Sequence, residues 1–129
     1  MTIERVRDTK HVIERWDDIF TALSAEPRRQ LIVTLMNAPA GRRVLLPDAA
    51  TTAADSFDLE QLRIQLIHHH LPMLAECGFV DWSTDPFCAQ RGVRFVEVAT
   101  IFTALEARID EIPDQLIDGY QRFEEKRND

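Results

Sequence analysis

The residues best suited to chemistry lie close together, between Asp58 and Cys77: Gln61, Gln65, His68, His69, His70 and the Cys77 thiol. Two chemistries compete for them. Histidines and a thiol are metal ligands, whereas glutamine amides pair bidentately with adenine and imidazoles donate or accept at base edges. Geometry opposes the metal. Neighbouring residues on a helix point about 100° apart, and zinc pairs on a helix stand at i and i+3 or i+4. His69 and Cys77 share a face but sit two turns apart, beyond the reach of one tetrahedral ion. No metal and no cofactor is expected; His70 reads as a hydrogen-bonded core histidine and Cys77 as a small buried apolar residue. Cys88 has only Arg91 nearby to lower its pKa, which argues for no redox role. Catalytic residues are not expected either. The glycines Gly41, Gly78, Gly92 and Gly119 form no phosphate loop or dinucleotide fingerprint, and no nucleophile elbow is present.

The element that must position these side chains is a long helix over 58–77. Asp58 is its N-cap, Gln61 stands in capping-box spacing, and Phe57 with Leu62 forms a hydrophobic staple. Leu59, Leu66, Ile67, His70, Leu71, Leu74 and Cys77 fall on one broad side, while Gln61, Gln65, His68, His69 and Glu76 gather on the other. One side packs and the other is presented. Gly78 ends the helix, and Pro72, which cannot donate to the His68 carbonyl, predicts a kink between His68 and Pro72.

The segment HHHLPMLAECGFV, His68 to Val80, resembles the recognition-helix segment of ArsR-type winged-helix regulators, whose pattern runs Ser-His-His-Leu, a leucine, then Ala-Gly-Leu-Val. His68 stands where that family has Ser, and Cys77 where its motif has Ala. ALSAEPRRQLIVTLM, Ala22 to Met36, resembles the helix preceding the helix-turn-helix. With Gly92, Val93, Arg94 and Phe95 following, the chain is more similar still to small winged-helix proteins of halophilic archaea. The resemblance spans about Trp16 to Pro113 and implies a DNA reader: Gln61, Gln65, His68 and His69 at base edges in the major groove, with Arg28, Arg29, Arg42, Arg43, Arg91 and Arg94 on the phosphate backbone. It also implies a homodimer, with terminal helices contributing Trp16, Phe20, Val98, Ile101, Phe102, Leu105, Ile109 and Ile112 to the interface. The paired-cysteine site of the metal-sensing members is not present.

A net charge of −7 argues at face value against nucleic acid, but the charge is unevenly placed. Residues 28–94 carry seven basic and seven acidic side chains, whereas residues 95–129 carry four and nine. Basic residues are almost all Arg, and Asp is abundant, a composition suited to a high-salt cytoplasm. At molar salt counterion release contributes little, so a DNA reader there leans on base contacts and shape. The N-terminus is charged with no apolar segment after it, and no run approaches a membrane span; a cytoplasmic protein without membrane contact is expected. Two cysteines are too few for a disulfide framework.

The remaining chain fills in the architecture. Ile13, Trp16, Phe20 and Leu23 repeat at helical spacing; Ser24 reads as the cap of the next helix, which Asn37, Pro39 and Gly41 stop. A short strand or helix near Arg42 to Ala50 follows, then an expanded turn, TTAADSF. After the long helix, Phe79–Ser83 and Phe87–Arg91 form a hairpin wing. From Val96 a last long helix is predicted to run to Pro113, followed by a shorter segment with Leu116, Ile117, Tyr120 and Phe123. The expected fold is mainly α with a small β-hairpin wing, a winged helix-turn-helix with extra terminal helices: an arm over 1–12, the winged-helix domain over 13–112, and a C-terminal helix with charged tail over 113–129. The expected function is sequence-specific transcriptional regulation on double-stranded DNA. The rival is a protein-interaction module on the same fold.

Overall fold

The computed structural model describes residues 3–51, 58–117 and 121–128. Helix α1 spans Ile3–Ala22, so residues 3–12 of the expected arm form its first turns. It buries Ile19 and Ala22, while Trp16 and Phe20 stay 44% and 62% exposed. Helix α2, Glu26–Asn37, lies at the centre and buries Leu31, Ile32, Val33 and Leu35. Its N-cap is Ala25, which has no side-chain cap bond, rather than Ser24. The Ser24 hydroxyl donates instead to the Thr21 carbonyl and accepts from Arg28.

Strand β1, Val44–Leu45, is followed by a 3-10 turn at Asp48–Ala50. The long helix comes next, in three joined parts: α3 over Leu59–Gln65, a π turn over Leu66–His70, and α4 over Leu71–Glu76. Strands β2, Val80–Thr84, and β3, Phe87–Arg91, form an antiparallel hairpin, and β1 adds to its far side to give the order β1-β3-β2. Opposed residues share a face, so Val44, Ala89 and Trp82 lie together on the inner side, while Leu45, Cys88 and Ser83 lie on the outer. The inner face closes over Leu62, Leu66, Leu71 and Leu74 of the long helix.

Helix α5, Phe95–Ala107, buries Phe95, Val98, Phe102 and Glu106. It ends before the predicted boundary at Pro113: Ile109–Glu111 and Asp114–Leu116 are separate 3-10 turns. Helix α6, Gln121–Asn128, sends Arg127 back to donate to the carbonyls of Ile109 and Ile112 and to Asp114, so a distant side chain ties the two 3-10 turns together. Tyr120, expected beside Phe123, lies outside the described residues.

The long helix meets the hairpin at two glycines. Gly78 has φ +80°, the left-handed conformation that ends helices. Gly92 lies so close to the same corner that an added Cβ would stand 2.4 Å from the Gly78 carbonyl oxygen and 2.8 Å from the Val80 nitrogen. Both contacts are backbone and cannot yield without moving a strand. Gly92→Ala is therefore expected to destabilise by roughly 1–3 kcal/mol. Urea unfolding checks this, and an unchanged midpoint would show that the corner is looser than the geometry requires.

Candidate nucleic-acid interface

The presented helix begins where its cap places it. The Asp58 carboxylate accepts from the backbone N–H groups of Glu60, at 2.9 Å, and Gln61, at 3.4 Å. Phe57, the staple partner, lies outside the described residues. Pro72 does disturb the helix, in a form other than a bend alone. A proline ring crowds the carbonyl four residues earlier and supplies no N–H. The chain meets this by widening into a π turn, with the Leu71 N–H bonded to the Leu66 carbonyl. That turn sets the three histidines apart: His68 and His69 are exposed, and His70 is buried.

His70 points inward because Arg28 waits there. Arg28 is only 3% exposed. Its Nε donates to the Ala22 carbonyl, Nη2 to the Thr21 carbonyl and the Ser24 hydroxyl, and Nη1 stands 2.7 Å from His70 Nδ1. A guanidinium has no acceptor, so His70 Nδ1 must accept and the ring carries its proton on Nε2. Burial first, then the neighbouring Arg28 charge, pushes the His70 pKa down to about 4.

The four residues expected at base edges are all on the exposed side, and Gln61, Gln65 and His68 follow one another at i, i+4 and i+7. The His69 ring leans back: its Nε2 lies 3.5 Å from Arg28 Nη1, and it is tilted against His70 with ring centroids 4.9 Å apart. Beside that row stands a residue that the helical wheel left unassigned, Ile64, which is 53% exposed. Arg63 turns from the row to lie over the Phe87 ring, 4.5 Å from its centroid.

The six arginines expected on phosphates divide. Arg28 is inside. Arg91 donates to the carbonyls of Leu35, Met36 and Ala38, closing the C-terminal end of α2 onto β3. Arg94 pairs with Glu97 and Asp18 and lies over Phe79, and its hydrogen bond, helped by its charge, holds the Glu97 carboxyl below the usual range. Arg29 is half-buried and donates to the Leu23 carbonyl. Arg42 and Arg43 are the two with exposed side chains, just before β1. The Arg94–Glu97 pair, at i and i+3, was readable in the sequence; the carbonyls that hold Arg28 and Arg91 were not.

The expected interface residues divide as well. Trp16, Phe20 and Leu105 are exposed, Ile101 and Ile112 half-buried, and Val98, Phe102 and Ile109 belong to the chain's own interior. Val12, Ile13 and Val96 join the exposed set. Between α1 and α5 this leaves an open apolar groove lined by Val12, Trp16, Ile19, Val96 and Ile101.

Among the described residues, no three His, Cys, Asp or Glu side chains come together as a metal site, and no helix is long and apolar enough to cross a membrane. Burial, reinforced by the Asp18 carboxylate, pushes the Cys77 thiol up, away from reactivity. Comparison of the chain with protein-family models, with curated proteins and with solved structures finds no match.

The His70 arrangement has a definite pH dependence. The unfolded chain takes up a proton near pH 6.5, which the folded chain refuses until about pH 4. The stability conferred by the neutral ring is therefore complete above pH 6.5 and is lost progressively as pH falls from 6.5 to about 4. His70→Asn, whose amide oxygen replaces the Nδ1 acceptor without titrating, is expected to flatten this part of the profile. Urea midpoints across the window check it; parallel profiles for the two proteins would sink the assignment.

Proposed function

We propose that the protein is a winged-helix, sequence-specific DNA-binding regulator that acts as a homodimer. The observation that carries the reading is the row Gln61, Gln65 and His68, presented from a capped helix that runs into a three-stranded sheet of order β1-β3-β2. Helix then antiparallel hairpin, with a short strand preceding both, supports the reading of a presented helix with a wing. The row is uncharged and rich in hydrogen-bonding groups, which suits direct contact with bases. The exposed stripe of α1, Val12, Ile13, Trp16 and Phe20, supports dimerisation, since a helix of this length gains little by holding such residues in water. A two-fold dimer implies a palindromic site with half-sites one or more helical turns apart.

One observation favours the second reading, a protein-interaction module: Arg28, Arg91 and Arg94, expected at phosphates, are bonded within the chain. Fluorescence anisotropy separates the two. The protein is titrated, in high potassium chloride, against the DNA upstream of its own gene and against a scrambled duplex. Selective binding that falls at least tenfold in Gln65→Ala/His68→Ala is expected, each base contact contributing roughly 1–3 kcal/mol. Absence of selectivity at every salt concentration, with the protein folded, transfers the function to the second reading.

The dimer has its own test. Trp16→Glu/Phe20→Glu should sediment as a monomer with unchanged helix content, because both rings stand exposed outside the buried core. A wild-type protein that is itself monomeric at micromolar concentration would remove the dimer.

A further inference from the structure

We propose that Ile64 reads a thymine methyl group, so that each half-site presents adjacent A·T pairs to the helix. The inference rests on the DNA-binding reading and specifies what that helix recognises. Ile64 is 53% exposed and stands three residues after Gln61 and four before His68, so it flanks the presented row along the edge formed by those two side chains. In the major groove thymine alone among the bases offers a methyl group, at C5, the largest apolar feature on any base edge there. An isoleucine beside such a row is best complemented by that methyl. Its neighbours point the same way. Glutamine is suited to the N6 and N7 atoms of adenine, the base paired with thymine.

What is missing from the row supports the same choice. Guanine is read above all by arginine or lysine reaching O6 and N7. The one arginine of α3, Arg63, is folded over the Phe87 ring. Glu60, which could accept from cytosine, lies in the first turn, where a carboxylate is favoured by the helix dipole. The exposed arginines nearby in sequence, Arg42 and Arg43, precede β1 and lie off the helix.

The test uses wild-type protein and duplexes that it enriches from a random-sequence pool in molar potassium chloride. Each thymine of the enriched site is then replaced by uracil, which pairs identically and lacks only the methyl. One replacement per half-site is expected to weaken wild-type binding about fourfold, and to leave Ile64→Ala unaffected. Circular dichroism checks that this exposed substitution leaves the fold intact. An enriched site with no uracil effect, a uracil effect that persists in Ile64→Ala, or a site built on G·C pairs would overturn the inference while leaving DNA binding in place. If no sequence is enriched, the inference falls together with the reading on which it rests.

Discussion

The structure turns on a buried guanidinium. Arg28 sits between the end of α1, the start of α2 and the π turn of the long helix, and a charge so placed is tolerated only where its donors find acceptors. Two backbone carbonyls, a hydroxyl and one imidazole nitrogen supply them. The requirement propagates. His70 must be neutral and must face inward to accept, and the helix must take a phase that brings it there. Widening at Leu66–His70 provides that phase, and it leaves His68 on the outer side with Gln65. The orientation of the presented row is thus tied to an interior bond one residue pair away.

Two further arginines work in the same manner. Arg91 gathers three carbonyls at the end of α2, and Arg94 links α1 to the start of α5 through Asp18 and Glu97. Helix ends leave carbonyls unsatisfied, and this chain covers several of them with side chains from distant elements; Arg127 does so again at Ile109 and Ile112. A cation used in this way is no longer a surface cation. The even balance of basic and acidic residues over 28–94 therefore overstates the positive charge available outside, and a DNA contact made here has to draw its affinity from base edges and apolar area.

How much of this was legible depends on the range of the signal. The Asp58 cap, the stop at Gly78 and the two hairpin strands are set by residues within a few positions of one another, and the sequence displays them. Pro72 announced a disturbed helix, but the form it takes, a π turn that carries His70 to Arg28, involves a partner far away in the sequence. Ser24 carried a cap signal that the tertiary structure redirected to Arg28. The apolar period of residues 98–112 gave no warning that the helix stops after Ala107, nor that Arg127 returns from the far end of the chain to hold the turns that follow. Periodicity also leaves open which chain covers a stripe. Val98 and Phe102 are covered from within, while Trp16 and Phe20, with the same kind of spacing, are not.

The proposed dimer surface and the proposed reading face are joined through α1. Helix α1 carries the uncovered stripe along its length, and at its C-terminal end it gives the carbonyls of Thr21 and Ala22 to Arg28. The same guanidinium holds His70 and lies 3.5 Å from His69. Only one side chain separates the last turn of α1 from the histidine turn. If α1 seats against a second copy, the axis it adopts fixes where the two Arg28 groups stand, and through them the separation and tilt of the two presented rows. On the proposed reading, a rigid link of this kind would make half-site spacing a property of the α1 contact, so that the proposed dimer surface and the proposed base-reading row would belong to one mechanical unit.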